Sequence, residues 1–346
     1  MAGELKLGLN TGYWAGGPPP GVTESIAEAE RLGFDSMWTA EAYGSDCLTP
    51  LAWWGASTSK IKLGTAIVQM SARQPAATAM AAMTMDLLSG GRFILGLGVS
   101  GPQVVEGWYG MPFAKPLART REYIGILRDI WARKGPVTAD GEHYKLPLPG
   151  GTGLAKPLKS SIHPLREEIP IYLGAEGPKN IALCAELCDG WLSMLFAPEH
   201  QQIYVDALSE GFARAGARHT AETFQVNATV PLIVSEDIDA AADALRPFYA
   251  LYFGGMGAKG KNFHANVAIR MGYEAEVDEI ASLYLEGKKD EAGAKVPRKL
   301  IEDMSLIGPK EKIRDDLAKW RESVVDTLLI SGDVATLRDA AELVLG

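Results

Sequence analysis

Short apolar runs alternate with helical patterns from one end of the chain to the other. The run "LKLGLN" predicts a strand, and "TESIAEAERL" predicts a helix that Thr23 can cap and Gly33 can end. The alternation continues with strand "FDSMWTAE", helix "TPLAWWGAST", strand "IKLGTAIVQ" and helix "PAATAMAAMTMDLL", which Gly90-Gly91 stops. Strand "RFILGLGVS" and a long amphipathic helix from Pro116 follow. Residues 132–169, rich in Pro and Gly, interrupt the rhythm, and Asp140-Gly141 predicts a hairpin there. The rhythm resumes with strands "IPIYLGA", "DGWLSML", "FQVNATVPLIV" and "VVDTLLI", separated by helical patterns, with a second irregular and partly helical stretch at 254–306.

Eight strands, each followed by helical material, predict a (β/α)8 TIM barrel of the α/β class. A single domain over residues 1–346 is expected, with the two irregular stretches as insertions at the C-terminal face. The strands are apolar on both faces, as buried parallel strands must be. A doubly wound sheet would need a chain reversal and a division into halves, and neither is visible.

Composition narrows the function. With 47% hydrophobic and 22% charged residues, the chain is expected to fold around a packed core. A net charge of -9 argues against a nucleic-acid groove. Cys47, Cys184 and Cys188 form no C-x-x-C pair, so disulfides and a zinc knuckle are not expected. Cys184 and Cys188 fit one face of a helix. No apolar run reaches the roughly 20 residues that span a bilayer, and "MAGELKLGLN" lacks a leader pattern. A reducing, cytoplasmic setting is the expectation.

Gly96, Gly98 and Gly101 match G-x-G-x-x-G, the fingerprint of a dinucleotide-binding turn. That turn requires an immediate helix and an acid at the tip of the next strand. Here Pro102 follows, the next convincing helix pattern starts near Pro116, and Glu122 falls inside that helix. The match also lies on the fourth strand, whereas the fingerprint belongs to the first. The sequence therefore argues against NAD. Gly96 and Gly98 suit close strand packing, while Gly98, Val99, Ser100 and Gly101 fall at a strand's C-terminal end, where a barrel keeps its site.

The other strand ends contribute Asn10, Thr11 and Gly12; Thr39, Ala40 and Glu41; Ala66, Ile67 and Gln69; Gly174 to Gly177; and Ser193 with Met194. This ring is poor in catalytic acids and bases. It holds no H-E-x-x-H and no G-x-S-x-G, and the five histidines are scattered, so no metal site is expected. Such a ring suits a cofactor that carries its own chemistry. In "GAEGPKN", a strand ends and a helix opens at Pro178. Free N–H groups of Glu176, Gly177, Lys179 and Asn180 can attract an anion such as a phosphate, with Lys179 adding charge.

Five blocks, "WTAEAYGSD", "IKLGTAIVQMSARQPAATAM", "DLLSGGRFILGLGVSGPQVVEGWYG", "PIYLGAEGPKN" and "DGWLSM", resemble the luciferase-like oxidoreductase family. They are similar, more narrowly, to its branch dependent on coenzyme F420, a deazaflavin. The resemblance runs over nearly the whole chain. It implies a deazaflavin at the C-terminal mouth, beside Thr65, Ala66, Ile67 and Gln69, with a non-proline cis peptide at Ala66–Ile67. It further implies a phosphate held by backbone amides of Val99, Ser100, Gly101 and Gly174, Ala175, Glu176, Gly177, with Gly98, Ser193 and Met194 completing the pocket. Relatives that oxidise sugar phosphates carry Asp-His where this chain has Glu41-Ala42. Glu41 is thus the candidate acid or base, and a sugar-phosphate substrate is disfavoured. The expected reaction is hydride transfer between the cofactor C5 and a small-molecule substrate. Tyr13, Trp14, Trp108 and Tyr109 are candidates to line an apolar cleft. Lys259, Lys261, Lys288, Lys289, Lys295, Arg298 and Lys299 form either a solvated face or a patch for the cofactor's glutamate tail. A homodimer is expected. An FMN-dependent monooxygenase on the same fold and a non-catalytic deazaflavin carrier are the alternatives.

Overall fold

The computed structural model describes residues 4–14, 16–257 and 262–346. Eight parallel strands form its centre: β1 (Lys6–Gly12), β2 (Ser36–Thr39), β3 (Lys62–Thr65), β4 (Phe93–Gly98), β5 (Ile171–Gly174), β6 (Gly190–Ser193), β7 (Gln225–Thr229) and β8 (Thr327–Ile330). Each pairs with the next, and β8 pairs with β1 in the register Lys6↔Thr327 to Leu9↔Ile330, which closes the barrel. β3 breaks at Ala66–Ile67, whose peptide is cis as the resemblance implies, and resumes as Val68–Gln69 beside Leu97 and Gly98.

The surrounding helices are α1 (Val22–Leu32), α2 (Leu48–Gly55), α3 (Pro75–Ser89), α4 (Pro116–Ala132), α5 (Pro178–Leu187), α6 (Gln202–Phe212), α7 (Lys310–Arg321) and α8 (Val334–Val344). Local chemistry sets their ends. Prolines occupy the first turn of α3, α4 and α5, where a missing N–H costs nothing. Asp46 accepts the Leu48 and Thr49 amides ahead of α2, and Asp333 accepts from Thr336 at the start of α8. Gly33 ends α1 with φ 84°, as expected. The expected Thr23 cap does not form: α1 starts one residue earlier, from Gly21 at φ 70°, with no side-chain cap. The glycine reaches a left-handed turn that a threonine disfavours, so Thr23 falls inside the first turn.

Apolar side chains fill the barrel. Trp38, Ile94, Tyr172, Leu192 and Leu329 form the plug, with Ala66 and Ile67 packed on it. Gly96 lets β3 and β4 meet: a Cβ there would stand 1.7 Å from the Thr65 carbonyl oxygen. A helix of six residues, Pro102–Gly107, does open directly after Gly101, contrary to the expectation that none forms before Pro116. Pro102 presets the φ of its first turn. The dinucleotide reading still fails, because Gly98 yields its space to Ile67, whose Cδ1 would lie 2.7 Å from a Cβ at that position.

Glu122 has a structural task. Its carboxylate accepts the amides of Glu142, His143 and Tyr144, pinning the hairpin formed by Ala139–Asp140 and Lys145–Leu146 against α4. Lys115 at the head of α4 pairs with Glu142, so the hairpin reaches the C-terminal end of the barrel. Between β7 and α7 the chain builds a lobe. Leu232–Val234 pairs with Leu306–Gly308, and helices Ile238–Ala250, Ala265–Arg270, Glu274–Leu285, Lys289–Ala294 and Arg298–Asp303 enclose a second core around Tyr249, Phe253, Ile280 and Leu300. Among the described residues no helix is long and apolar enough to cross a membrane.

Candidate active site

The floor of the mouth is Ile67. Its side chain fits between Gly98 and Gly174, and a Cβ on Gly174 would stand 3.1 Å from Ile67 Cγ2. Thr65 belongs to the wall beneath it. The hydroxyl donates to the Gly96 carbonyl and accepts from the Gly96 amide, both at 2.9 Å, and is fully buried. The Ala175 carbonyl accepts from Trp191 Nε1 at 2.7 Å, and buried Ser193 ends β6. Met194 packs against the core of the lobe.

Glu41 lies at the end of β2 with its side chain only 4% exposed. Oε1 accepts from the Gln69 amide at 2.8 Å and from Arg73 Nη1 at 2.7 Å, while Oε2 accepts from the Cys47 amide at 3.2 Å. The carboxylate thereby ties β2, the resumed β3 and the approach to α2 together. Tyr109, from the loop after β4, donates to the Ala42 carbonyl and covers this corner. Gln69 Nε2 donates to the same carbonyl at 2.7 Å, and its buried Oε1 has no partner. Beside it, Ser100 holds φ 59°, a left-handed conformation uncommon outside glycine, at the turn from β4.

Polar groups gather at the end of β5. His264 Nδ1 lies 2.6 Å from Glu176 Oε1, and Arg270 Nη2 donates to the Glu176 carbonyl at 2.6 Å. Both partners come from the lobe. Glu176 Oε2, Asn180 Oδ1 and Arg270 Nε are buried without partners. The Asn180 amide, expected to be free, bonds the Gly177 carbonyl instead, because α5 tightens its first turn there. The amides of Glu176, Gly177 and Lys179 have no backbone acceptor among the described residues. Burial pulls the His264 pKa down, but the charge and hydrogen bond of Glu176 outweigh it and hold the imidazole above the ordinary 6.5. Two acceptors and one cationic donor without partners, beside free amides, match a ligand with polar ring edges and an anionic tail.

Residues 8–327 match the family model described as luciferase-like monooxygenase. The chain belongs to that family. A Mycobacterium tuberculosis protein named as a coenzyme F420-dependent oxidoreductase is 54% identical over 99% of this chain and 100% of its own length. A 5,10-methylenetetrahydromethanopterin reductase of Archaeoglobus fulgidus is 35% identical over 66% of this chain and 64% of its own. Among solved structures, the coenzyme F420-dependent tetrahydromethanopterin reductase of Methanopyrus kandleri superposes with a TM-score of 0.81 at 24% identity, covering 99% of both chains. An F420-dependent secondary alcohol dehydrogenase, in complex with an F420–acetone adduct, gives 0.77 at 17% identity, covering 99% of this chain and 98% of its own. These likenesses establish the barrel of the luciferase-like family.

The remaining expected residues divide. Trp14 packs on Trp54 with ring centres 5.4 Å apart and belongs to the wall, whereas Trp108 is 66% exposed at the rim. Tyr13 is exposed, and Phe113 meets Phe263 of the lobe at 6.4 Å, so aromatic rings surround the mouth. Among the cationic residues, Lys259 and Lys261 lie outside the described residues. Lys288, Lys295, Arg298 and Lys299 are paired with Glu286, Glu279, Glu302 and Glu199, and Lys289 stands over the Tyr284 ring. Arg73, Tyr252, His264 and Arg270 escaped the sequence reading. Arg73 sits within a block of the family resemblance, but nothing in the spacing connects the lobe residues to β5. The three cysteines are free and buried, and burial pushes the Cys47 and Cys184 thiols up. Among the described residues no cluster has metal-ligand composition.

Proposed function

We propose that this chain is a coenzyme F420-dependent oxidoreductase that moves a hydride between the deazaflavin C5 and a small organic substrate. The observation that carries this reading is the set of orphaned polar atoms and free amides at the barrel mouth, in a chain 54% identical to a relative named for that dependence. When bound, the deazaflavin supplies the two-electron chemistry; the protein supplies orientation and excludes water. Gln69 Oε1 is an acceptor for a ring N–H. The amides of Glu176, Gly177 and Lys179, with Arg270, hold the phosphate, and Val99, Ser100 and Gly101 form the adjoining rim, after the strand that pairs Gly98 with Gly174. Ile67 backs the ring from below.

Glu41, the residue expected to act as acid or base, serves this reading best as a positioning group. Its three hydrogen bonds hold Gln69 and Arg73 in place. A homodimer is part of the proposal. The exposed positions of α3, which are Ala76, Ala77, Met80, Thr84, Leu87 and Leu88, carry no charge, and Trp53 of α2 is 80% exposed. A neutral face of this kind favours burial against a second copy.

A titration of the purified protein with oxidised F420 and, separately, with FMN tests the cofactor. Tighter binding of F420, read by quenching of its fluorescence, is expected. Preference for FMN would reverse the reading toward a monooxygenase, and F420 binding with no turnover of any tested substrate would support a carrier.

A further inference from the structure

F420 and FMN present different anions to the same amides. The phosphate of F420 is a diester that joins the ribityl chain to a lactyl group, so it keeps a single negative charge on either side of neutrality. The phosphate of FMN is a monoester, whose second ionisation at about pH 6 takes it toward two negative charges. A pocket made for a dianion gathers cations around its amides. The end of β5 does otherwise. Its free amides are those of Glu176, Gly177 and Lys179, and the first of these residues carries a carboxylate. A glutamate oxygen reaches at most about 6 Å from its own amide nitrogen, so it stays within about 9 Å of an anion held there, whichever way it points. The Glu176 side chain is only 13% exposed. Oε1 lies 2.6 Å from His264 Nδ1, whereas Oε2 is buried without a partner. Asn180 Oδ1, in the first turn of α5, is a second acceptor without a partner. Arg270 is fixed to this loop through the Glu176 carbonyl.

His264 decides how much of the carboxylate's charge is felt. It faces Glu176 from β5 and, edge-on at 4.9 Å, Tyr252 of its own lobe. Around the Glu176 loop stand Arg270, Lys179 and Tyr204. Burial pushes the Tyr204 and Tyr252 hydroxyls up, so both stay neutral, and the two cations keep their charge across neutrality. His264 is the group that changes. Below its pKa, which Glu176 holds above the ordinary 6.5, the imidazolium cancels the carboxylate. Above it, the carboxylate stands uncancelled beside the amides.

We propose that Glu176, modulated by His264, selects a phosphodiester over a phosphomonoester at this site, and so F420 over FMN. This inference rests on the F420-dependent reading and adds what excludes the competing flavin. One uncancelled charge at about 9 Å, at an effective dielectric of about 20–80, lowers the affinity for a monoanion by about 2–20-fold and for a dianion by about the square of that factor. The site gives up some affinity for F420 and rejects FMN more strongly.

Fluorescence titration with two ligand pairs tests the proposal: F420 with its phosphate-free ribityl deazaflavin, and FMN with riboflavin. Each pair shares a ring, so the ratio of its two affinities isolates the phosphate and what the phosphate carries. In Glu176→Gln at about pH 8.5, the F420 ratio is expected to rise by about 2–20-fold, and the FMN ratio by about the square of the factor found. An FMN ratio that rises by less than about twofold, or by no more than the F420 ratio, overturns the proposal. Parallel weakening of all the ligands with unchanged ratios also overturns it, and makes Glu176 an acceptor for a ribityl hydroxyl. A second arm needs no change at Glu176. In the wild type the F420 ratio should rise as pH falls from about 8.5 to about 5.5, and in His264→Gln it should stay at its high-pH level. A flat wild-type ratio overturns the modulation by His264. Tighter binding of FMN than of F420 by the wild type overturns the underlying cofactor reading; unchanged ratios in a wild type that prefers F420 overturn the role of Glu176 alone.

Discussion

Glu41→Gln separates a structural carboxylate from a chemical one. The substitution preserves shape but removes the charge facing Arg73 at 2.7 Å, and it sets an amide among two backbone N–H donors and a guanidinium. Removing one member of a buried ion pair costs about 3–5 kcal/mol. Arg73 here is 23% exposed and keeps Asp46 at 3.9 Å, so part of its charge remains compensated. An expected loss of about 2–4 kcal/mol follows. At about 2.1 cal/mol/K per residue, a chain of 346 residues has an unfolding entropy of about 0.7 kcal/mol/K, so Tm should fall by about 3–6 °C. Scanning fluorimetry at fixed scan rate, beside an F420 titration, measures both consequences. The titration should weaken by about tenfold or less, because the variant side chain keeps an amide oxygen that accepts from the Gln69 N–H and the Gln69 side chain stays in place. A Tm within 1 °C of wild type together with a loss of activity of about 100-fold or more would refute the positioning role and restore Glu41 as the acid or base.

Three further outcomes are expected. Gly96→Ala forces a Cβ to within 1.7 Å of the Thr65 carbonyl, a backbone atom that cannot turn aside, and should abolish soluble expression or cost more than about 4 kcal/mol in urea unfolding; Gly107→Ala, with no atom within 4 Å, is the neutral control. Arg270→Ala removes a guanidinium whose Nη2 bonds the Glu176 carbonyl and whose Nε is left without a partner at the proposed phosphate site, and should weaken F420 binding by about 10–100-fold, measured by fluorescence titration, with FMN as comparison. Glu199 bridges Lys319 of α7 and Lys299 of the lobe, and these two lysines hold its pKa at about 2 against the ordinary 4.5. The depressed value means that its stabilisation is present above pH 4.5 and is lost as pH falls toward 2. Because the group is 41% exposed, Glu199→Gln should cost about 1 kcal/mol or less at neutral pH, and the difference from wild type should vanish near pH 2 in parallel denaturation curves.

The sequence by itself determined the barrel. Eight apolar runs of strand length, each closed by glycine or proline chemistry and followed by a 3.6-residue period, leave few ways to bury both faces of every strand. The same local rules placed Gly96 and Gly98 as packing glycines and identified the β5–α5 turn as a source of free amides. Such features depend on neighbours in the chain, and a linear reading can see them. Only the tertiary structure shows which groups surround Glu41, Glu122 and Glu176. Glu122 is excluded as a ribose acid by its place inside a helix, but its hold on the hairpin amides emerges only in the structure. Glu41 reads as a candidate acid or base, and the structure adds Arg73, 32 residues away, as a donor to its oxygen. Glu176 reads as one residue of an amide loop until the lobe brings His264 across a separation of 88 residues. A carboxylate's role is set by the donors that surround it, and those donors arrive from elements whose meeting is fixed by packing, not by spacing.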